Sequence, residues 1–281
     1  MRWLAALRWL AFVVFIVLCL AVPPAMLWGL SGLVVGALVG VTLLSGMRLH
    51  GTRRICSLLK AKPLGRAQAP AEHTLVEEYC RRLRITVPRL HVIEAPGLNI
   101  GVFGFSSQEN HLVFTRGLLD TLSRAQLAAV ISRALCRVWA GEVGNETWLT
   151  RFFDVLQVLV LSDDRAPHRS ETLALRRVIR QVLLYPLTLF PAFVLQGTRD
   201  EEALDTRAVQ VTQDPQSMAE AFRRMEAMAE RIPYRAPFSS RHLFLCAPPT
   251  ADPLARLFFS SSGLGKRVRA VEGRTRAIPQ L

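Results

Sequence analysis

The sequence predicts a mostly α, α+β chain in which an N-terminal hairpin of membrane helices precedes a domain with a small sheet beside a central helix. Three observations predict it. Two long apolar runs open the chain, Ser123 to Val138 repeats apolar residues at helical spacing, and short apolar runs at Arg89 to Glu94 and Leu112 to Thr115 are separated by loop signals.

The opening runs come first. Trp3 to Val22 is apolar apart from Arg8, and Ala25 to Met47 holds 23 residues without a charge. As a helix the second run reaches about 34 Å, enough to cross a bilayer core. Val22-Pro23-Pro24 reads as the tight break between the two arms. A signal peptide is the rival for the first run, but a second, longer run follows at once and no small-residue cleavage site precedes it. Gly32, Gly36 and Gly40 form a small-residue ridge that another helix can approach closely, although plain tolerance of glycine in a membrane helix leaves the same pattern. Arg2 precedes the first run and Arg8 lies near its start. Arg48, Arg53, Arg54, Lys60, Lys62 and Arg66 follow the second, and the Pro-Pro loop has no Lys or Arg, so both flanks are expected in the cytoplasm.

Three segments follow: a transmembrane hairpin at 1–47, a basic juxtamembrane linker at 48–70, and a domain at 71–281 with a membrane-associated insertion at about 152–196. Ala71 to Ile85 reads as an amphipathic helix with Leu75, Tyr79 and Leu83 inward and His73 paired with Glu77 on the surface. Phe152 to Leu161 and Gln181 to Gln196 are apolar but short, and are expected to dip into the membrane or pack in the bundle rather than span cleanly.

Composition narrows the function. A net charge of +13 would suit nucleic acid, but no recognition motif accompanies it, and nucleic acid is not expected as a partner. Juxtamembrane cations account for part of the excess, each contributing about 1 kcal/mol near an anionic leaflet. The five cysteines are scattered without CxxC spacing, which suits free thiols in a reducing compartment, and Cys136 is expected to be a packing residue.

The central helix carries the functional question. Ser123 stands three residues before Gln126, as in a capping box, and Leu127, Val130, Ile131, Ala134, Leu135 and Val138 make its apolar face. Arg133 and Arg137 lie one turn apart, where like charges repel unless an anion joins them. On spacing alone this is a solvated basic face.

From Arg89 to Arg137 the chain resembles the core of the HtpX-type membrane zinc metallopeptidases. Asn99 matches that family's Asn-Ala-Phe-Ala-like loop. Thr115, Gly117, Leu118 and Leu119 match its Thr-x-Gly-Leu-Leu turn, and Leu122 and Ser123 match the start of its HExxH helix. The gapless register puts Arg133 and Arg137 at the two zinc histidines and Ala134 at the catalytic glutamate. Arg199 to Glu226 resembles the helix that supplies the third ligand, with Glu201 at the ligand and Asp205 beside it, although Leu204 departs from the Ala expected there. LFFSSSGLGKRVRAV resembles the Leu-Phe-x-Thr-His-Pro-Pro-x-x-x-Arg-Ile ending, with Ser261 where the histidine would stand. The resemblance implies a membrane-anchored, zincin-like fold and a setting in membrane-protein quality control, with Asn99 at the edge of a binding groove.

The chemistry departs from the family. A catalytic zinc of this type needs two imidazoles one turn apart, a carboxylate and an open water position. Arginine has no lone pair to give and stays protonated, and Ala134 has no carboxylate to take a proton, a role worth about two to four orders of magnitude in rate. The expectation is therefore a pseudopeptidase of the plasma (inner) membrane, multi-pass, with its peptidase-like domain in the cytoplasm and no cofactor. It would contact the bilayer and bind a membrane-protein client or an active paralogue. Two alternatives stand beside it: an active zinc peptidase with an atypical site built on Glu201, and a purely structural membrane protein. The register also predicts that Arg133 or Arg137 bonds Glu201 while Asp205 partners the other arginine.

Overall fold

The computed structural model describes residues 2–161, 190–195, 200–246 and 267–269. Ser261, the stretch from Ser162 to Arg180 and most of Gln181 to Gln196 lie outside the described residues. The chain divides into two units, Met1–Arg53 with Asn145–Gly197, and Arg54–Gly144 with Thr198–Leu281.

In the first unit, α1 (Arg2–Leu49) is two helical arms joined at Gly29, whose φ of 60° is open to glycine and strained for other residues. The break predicted at Pro23-Pro24 is therefore corrected: both prolines lie inside the helix. The Gly32 ridge has its use within the hairpin. A Cβ on Gly32 would stand 2.0 Å from the Pro24 carbonyl oxygen and one on Gly36 2.4 Å from that of Leu20, while one on Gly40 would touch Val17 at 3.5 Å. Contacts that step backwards along one arm as they step forwards along the other are those of antiparallel arms. Phe152, at the start of the short apolar run, lies within a longer helix, α6 (Val143–Leu161). Phe12, buried on α1, meets Trp148 at 6.3 Å and Phe152 edge-on at 5.7 Å. Asp154, the charge that interrupts the run, is buried and paired with Arg151.

Residues 48–70, which run from the first unit into the second, are more than a linker. Helix α2 (Gly51–Leu59) and strand β1 (Lys62–Pro63) form there, because Ile55 and Leu59 have a sheet face to bury against. Helix α3 (Pro70–Leu83) buries Val76, Tyr79, Cys80 and Leu83. His73 does not pair with Glu77; its Nε2 lies 2.9 Å from the Leu64 carbonyl oxygen, and Glu77 pairs with Arg66.

Strands β2 (Arg89–Ile93), β3 (Ile100–Ser106) and β4 (Glu109–Thr115) complete a sheet of order β1-β2-β4-β3, with β2 and β4 parallel and the other pairs antiparallel. Residues alternate between its faces. Leu90, Val92, Ile100, Val102, Leu112 and Phe114 join the core of α3 and α5 (Arg124–Ala140), whereas Ile93, Phe103 and Val113 pack with Ile55, Leu59 and Phe244. After the short α4 (Arg116–Thr121) and α5 come α7 (Glu201–Thr212), α8 (Pro215–Arg231) and a 3-10 turn (Phe238–Leu243).

Candidate functional site

The site forms where α5 meets α7. Ser123 and Gln126 make the predicted capping box, so α5 starts in a set register and Arg133 and Arg137 fall one turn apart. Asp200 caps α7 by accepting from Ala203 N at 2.9 Å, which puts Glu201 in the first helical turn. Ser132 Oγ donates to the Ala208 carbonyl at 3.0 Å and locks the two helices together.

Arg133 has no exposed surface. Its Nε donates to Asp205 Oδ1 at 2.5 Å and its Nη2 to Glu201 Oε2, so a single guanidinium takes both acids. The second cation on Asp205 is Arg267, not the predicted Arg137: Arg267 donates from Nε to Oδ2 at 2.8 Å and from Nη2 to Oδ1 at 2.5 Å, and its Nη1 lies 3.5 Å from Glu201 Oε2. Its guanidinium carbon sits 4.7 Å from the centre of the Phe222 ring. Arg267 was legible in principle, since it stands at the arginine of the resembled C-terminal ending.

Arg137 points elsewhere. It donates from Nη1 to the Leu243 carbonyl at 2.6 Å and from Nη2 to that of His242 at 2.9 Å. These oxygens close the 3-10 turn, where carbonyls lack partners within the helix, so the cation caps them. Asn99 is buried and gripped by the same segment: its Nδ2 donates to the Cys246 carbonyl at 2.6 Å and its Oδ1 accepts from Cys246 N at 3.1 Å.

Burial pushes Arg133 down from its ordinary value, with Asp205 and Glu201 resisting. For Arg267 burial acts in the same direction, but the hydrogen bonds and charge of Asp205 outweigh it and raise the group. Burial pushes the Cys136 thiol up to about 12, against weaker lowering by Arg133 and Arg207, which fits a packing residue and not a nucleophile.

These residues do not fit a zinc ion. Arg133 and Arg137 are guanidiniums with no lone pair to give, Ala134 is a buried methyl group, and both carboxylates already accept from Arg133. Among the described residues no three His, Cys, Asp or Glu side chains cluster as metal ligands.

No protein-family model matches the chain. Two proteins named Protease HtpX homolog, from Streptococcus pyogenes strains Manfredo and SSI-1, are each 23% identical to it over 256 residues, covering 86% of this chain and 86% of the relative. The crystal structure of S. mikatae Ste24p superposes with a TM-score of 0.50 at 14% identity, covering 91% of this chain. The chain spans 62% of the length of that protein, and at this identity the likeness is one of fold. Fold, apolar hairpin and relatives together define a membrane protein of peptidase type. The chain is similar over most of its length to HtpX-type membrane proteases and shares the fold of Ste24p.

Proposed function

We propose that this protein is a catalytically inactive member of the HtpX-type membrane metallopeptidase family, a pseudopeptidase that keeps a zincin-like scaffold and serves membrane-protein quality control by binding a membrane-protein client or an active paralogue. The observation that carries the reading is the Arg133 guanidinium, buried and bonded to both Glu201 and Asp205 where the sequence resemblance implies a zinc ligand. A cation in that place repels a dication, and it occupies the carboxylate on which an atypical zinc site would depend. The hairpin crosses the plasma (inner) membrane twice in this reading, with the basic flanks and the second unit in the cytoplasm.

Metal content and proteolysis of the purified full chain test the proposal. The expected result is no zinc near stoichiometry and no chelator-sensitive cleavage of unfolded protein. Bound zinc that is lost in Glu201→Gln, together with chelator-sensitive proteolysis, would establish the active-peptidase reading instead. Co-purification from mild detergent would then identify the client or paralogue.

A further inference from the structure

A strand at the edge of a sheet offers main-chain donors and acceptors to any extended peptide that reaches it. Among the described residues strand β3 is such an edge, with β4 on one side of it and no named strand on the other. Its first residues are nonetheless covered, by the chain itself. Leu245 N donates to the Ile100 carbonyl at 2.9 Å, Phe244 bridges Gly101 in antiparallel sense, and Asn99 holds the Cys246 backbone by both its donor and its acceptor. The Phe244 ring lies where Gly101 has no side chain, as a Cβ there would stand 2.9 Å from it, and packs edge-on to Tyr234 at 4.9 Å. Leu243 to Cys246 thus sit on β3 as a peptide ligand would, with main-chain pairing for affinity and an aromatic socket for selection.

What holds this segment at its upstream end is Arg137, through the two carbonyls just before Phe244. We propose that Arg137 is a latch. It keeps residues 242–246 on the β3 edge, and release of the latch exposes a docking site for an extended peptide with an aromatic residue followed by an aliphatic one. This deepens the client-binding reading by naming a ligand class, and it adds a closed state to the site. Proximity favours the internal segment, which competes at the high effective concentration of a tethered ligand, so peptides in trans are excluded until the latch opens.

Hydrogen exchange and peptide titration of the full chain in detergent test the latch without reference to metal or proteolysis. In the unmodified chain the Leu245 and Cys246 amides should exchange faster than the ladder amides of β4, through local opening. Arg137→Gln should speed exchange of those two amides about tenfold to a hundredfold, the size of losing charge-assisted hydrogen bonds, and leave the ladder unchanged. A labelled peptide copying residues 240–248 should bind Arg137→Gln and not the unmodified chain, and changing its Phe244 counterpart to Ala should abolish binding. Asn99→Ala supplies a second route, since it should release the Cys246 amide while α5 stays intact. Ladder and segment amides exchanging together in all three chains, or the absence of peptide binding by both variants, would make 242–246 a permanent strand and overturn the latch.

Discussion

Arg267 holds both oxygens of Asp205, Nε to Oδ2 at 2.8 Å and Nη2 to Oδ1 at 2.5 Å, while each group is almost wholly removed from solvent. Asp205 is thus the shared anion of two buried cations, and Glu201, with 16% of its side chain exposed, is the outlying one. Removing one partner of a buried pair leaves an uncompensated charge, at a cost of about 3 to 5 kcal/mol, against about 0 to 1 kcal/mol for exposed pairs. Asp205→Ala is therefore expected in the first range and Glu201→Ala well below it. Thermal or denaturant unfolding in detergent gives the ranking, and equal small losses would mean that packing alone joins α5 to α7.

Introducing an HExxH motif should not by itself create a zinc peptidase. With Arg133→His, Ala134→Glu and Arg137→His together, Arg267 still lies against Glu201 and Asp205 and competes for the carboxylate a zinc would need. The expected outcome is at most weak zinc binding without proteolysis, and adding Arg267→Ala should raise the zinc content measured after dialysis. Full activity of the triple variant would show that Arg267 swings clear.

Acid should loosen the second unit before it reaches the carboxylate range. His91 Nε2 lies 2.9 Å from His111 Nδ1 in the buried face of the sheet, and His111 stacks on Phe103 at 4.8 Å. Burial lowers His91, with help from Arg89. Burial also takes His111 down to about 4, with further lowering by His91 and Arg89 and opposition from Glu109. A histidine whose folded pKa is depressed leaves the unfolded chain binding more protons, so stability is retained above the unfolded value near 6.5 and lost as pH falls towards the folded value. Unfolding midpoints should fall between about pH 6.5 and 4, and His111→Gln should flatten that slope.

The hairpin supports two measurements. Cysteines placed by Val17→Cys and Gly40→Cys should cross-link, and adding Gly32→Leu should suppress the link, because the Pro24 carbonyl occupies the space a side chain would enter. An Arg66→Cys chain should resist impermeant thiol reagents in intact cells and label after permeabilisation. Labelling without permeabilisation would reverse the orientation.

Local codes were readable wherever local chemistry decided the outcome. The capping box at Ser123, the apolar period of α5 and the β-rich runs of β2 and β4 are of that kind. Strand β3 falls among the loop signals between β2 and β4, where Gly101 and Gly104 resemble turn residues. Their absent side chains instead admit the Phe244 ring and the Glu109 carbonyl, contacts made by packing and by the neighbouring strand. The basic run at Arg53 and Arg54 concealed α2, whose buried Ile55 and Leu59 need a sheet built from later residues. Of the two arginines on α5, periodicity put both on one face, yet it took the partners, Asp205 for one and a pair of carbonyls for the other, to separate their roles.

A helix pair bridged by a metal ion is complete when the ion arrives, and its maturation follows cellular supply, chelation and the protonation of imidazole. Here the bridge is translated along with the chain. Arginine keeps its proton across the whole physiological range, so the Arg133 tie needs only α5 and α7, and Arg267 adds a second cation to the same acids. Metal starvation should therefore leave the α5–α7 bridge of this protein untouched.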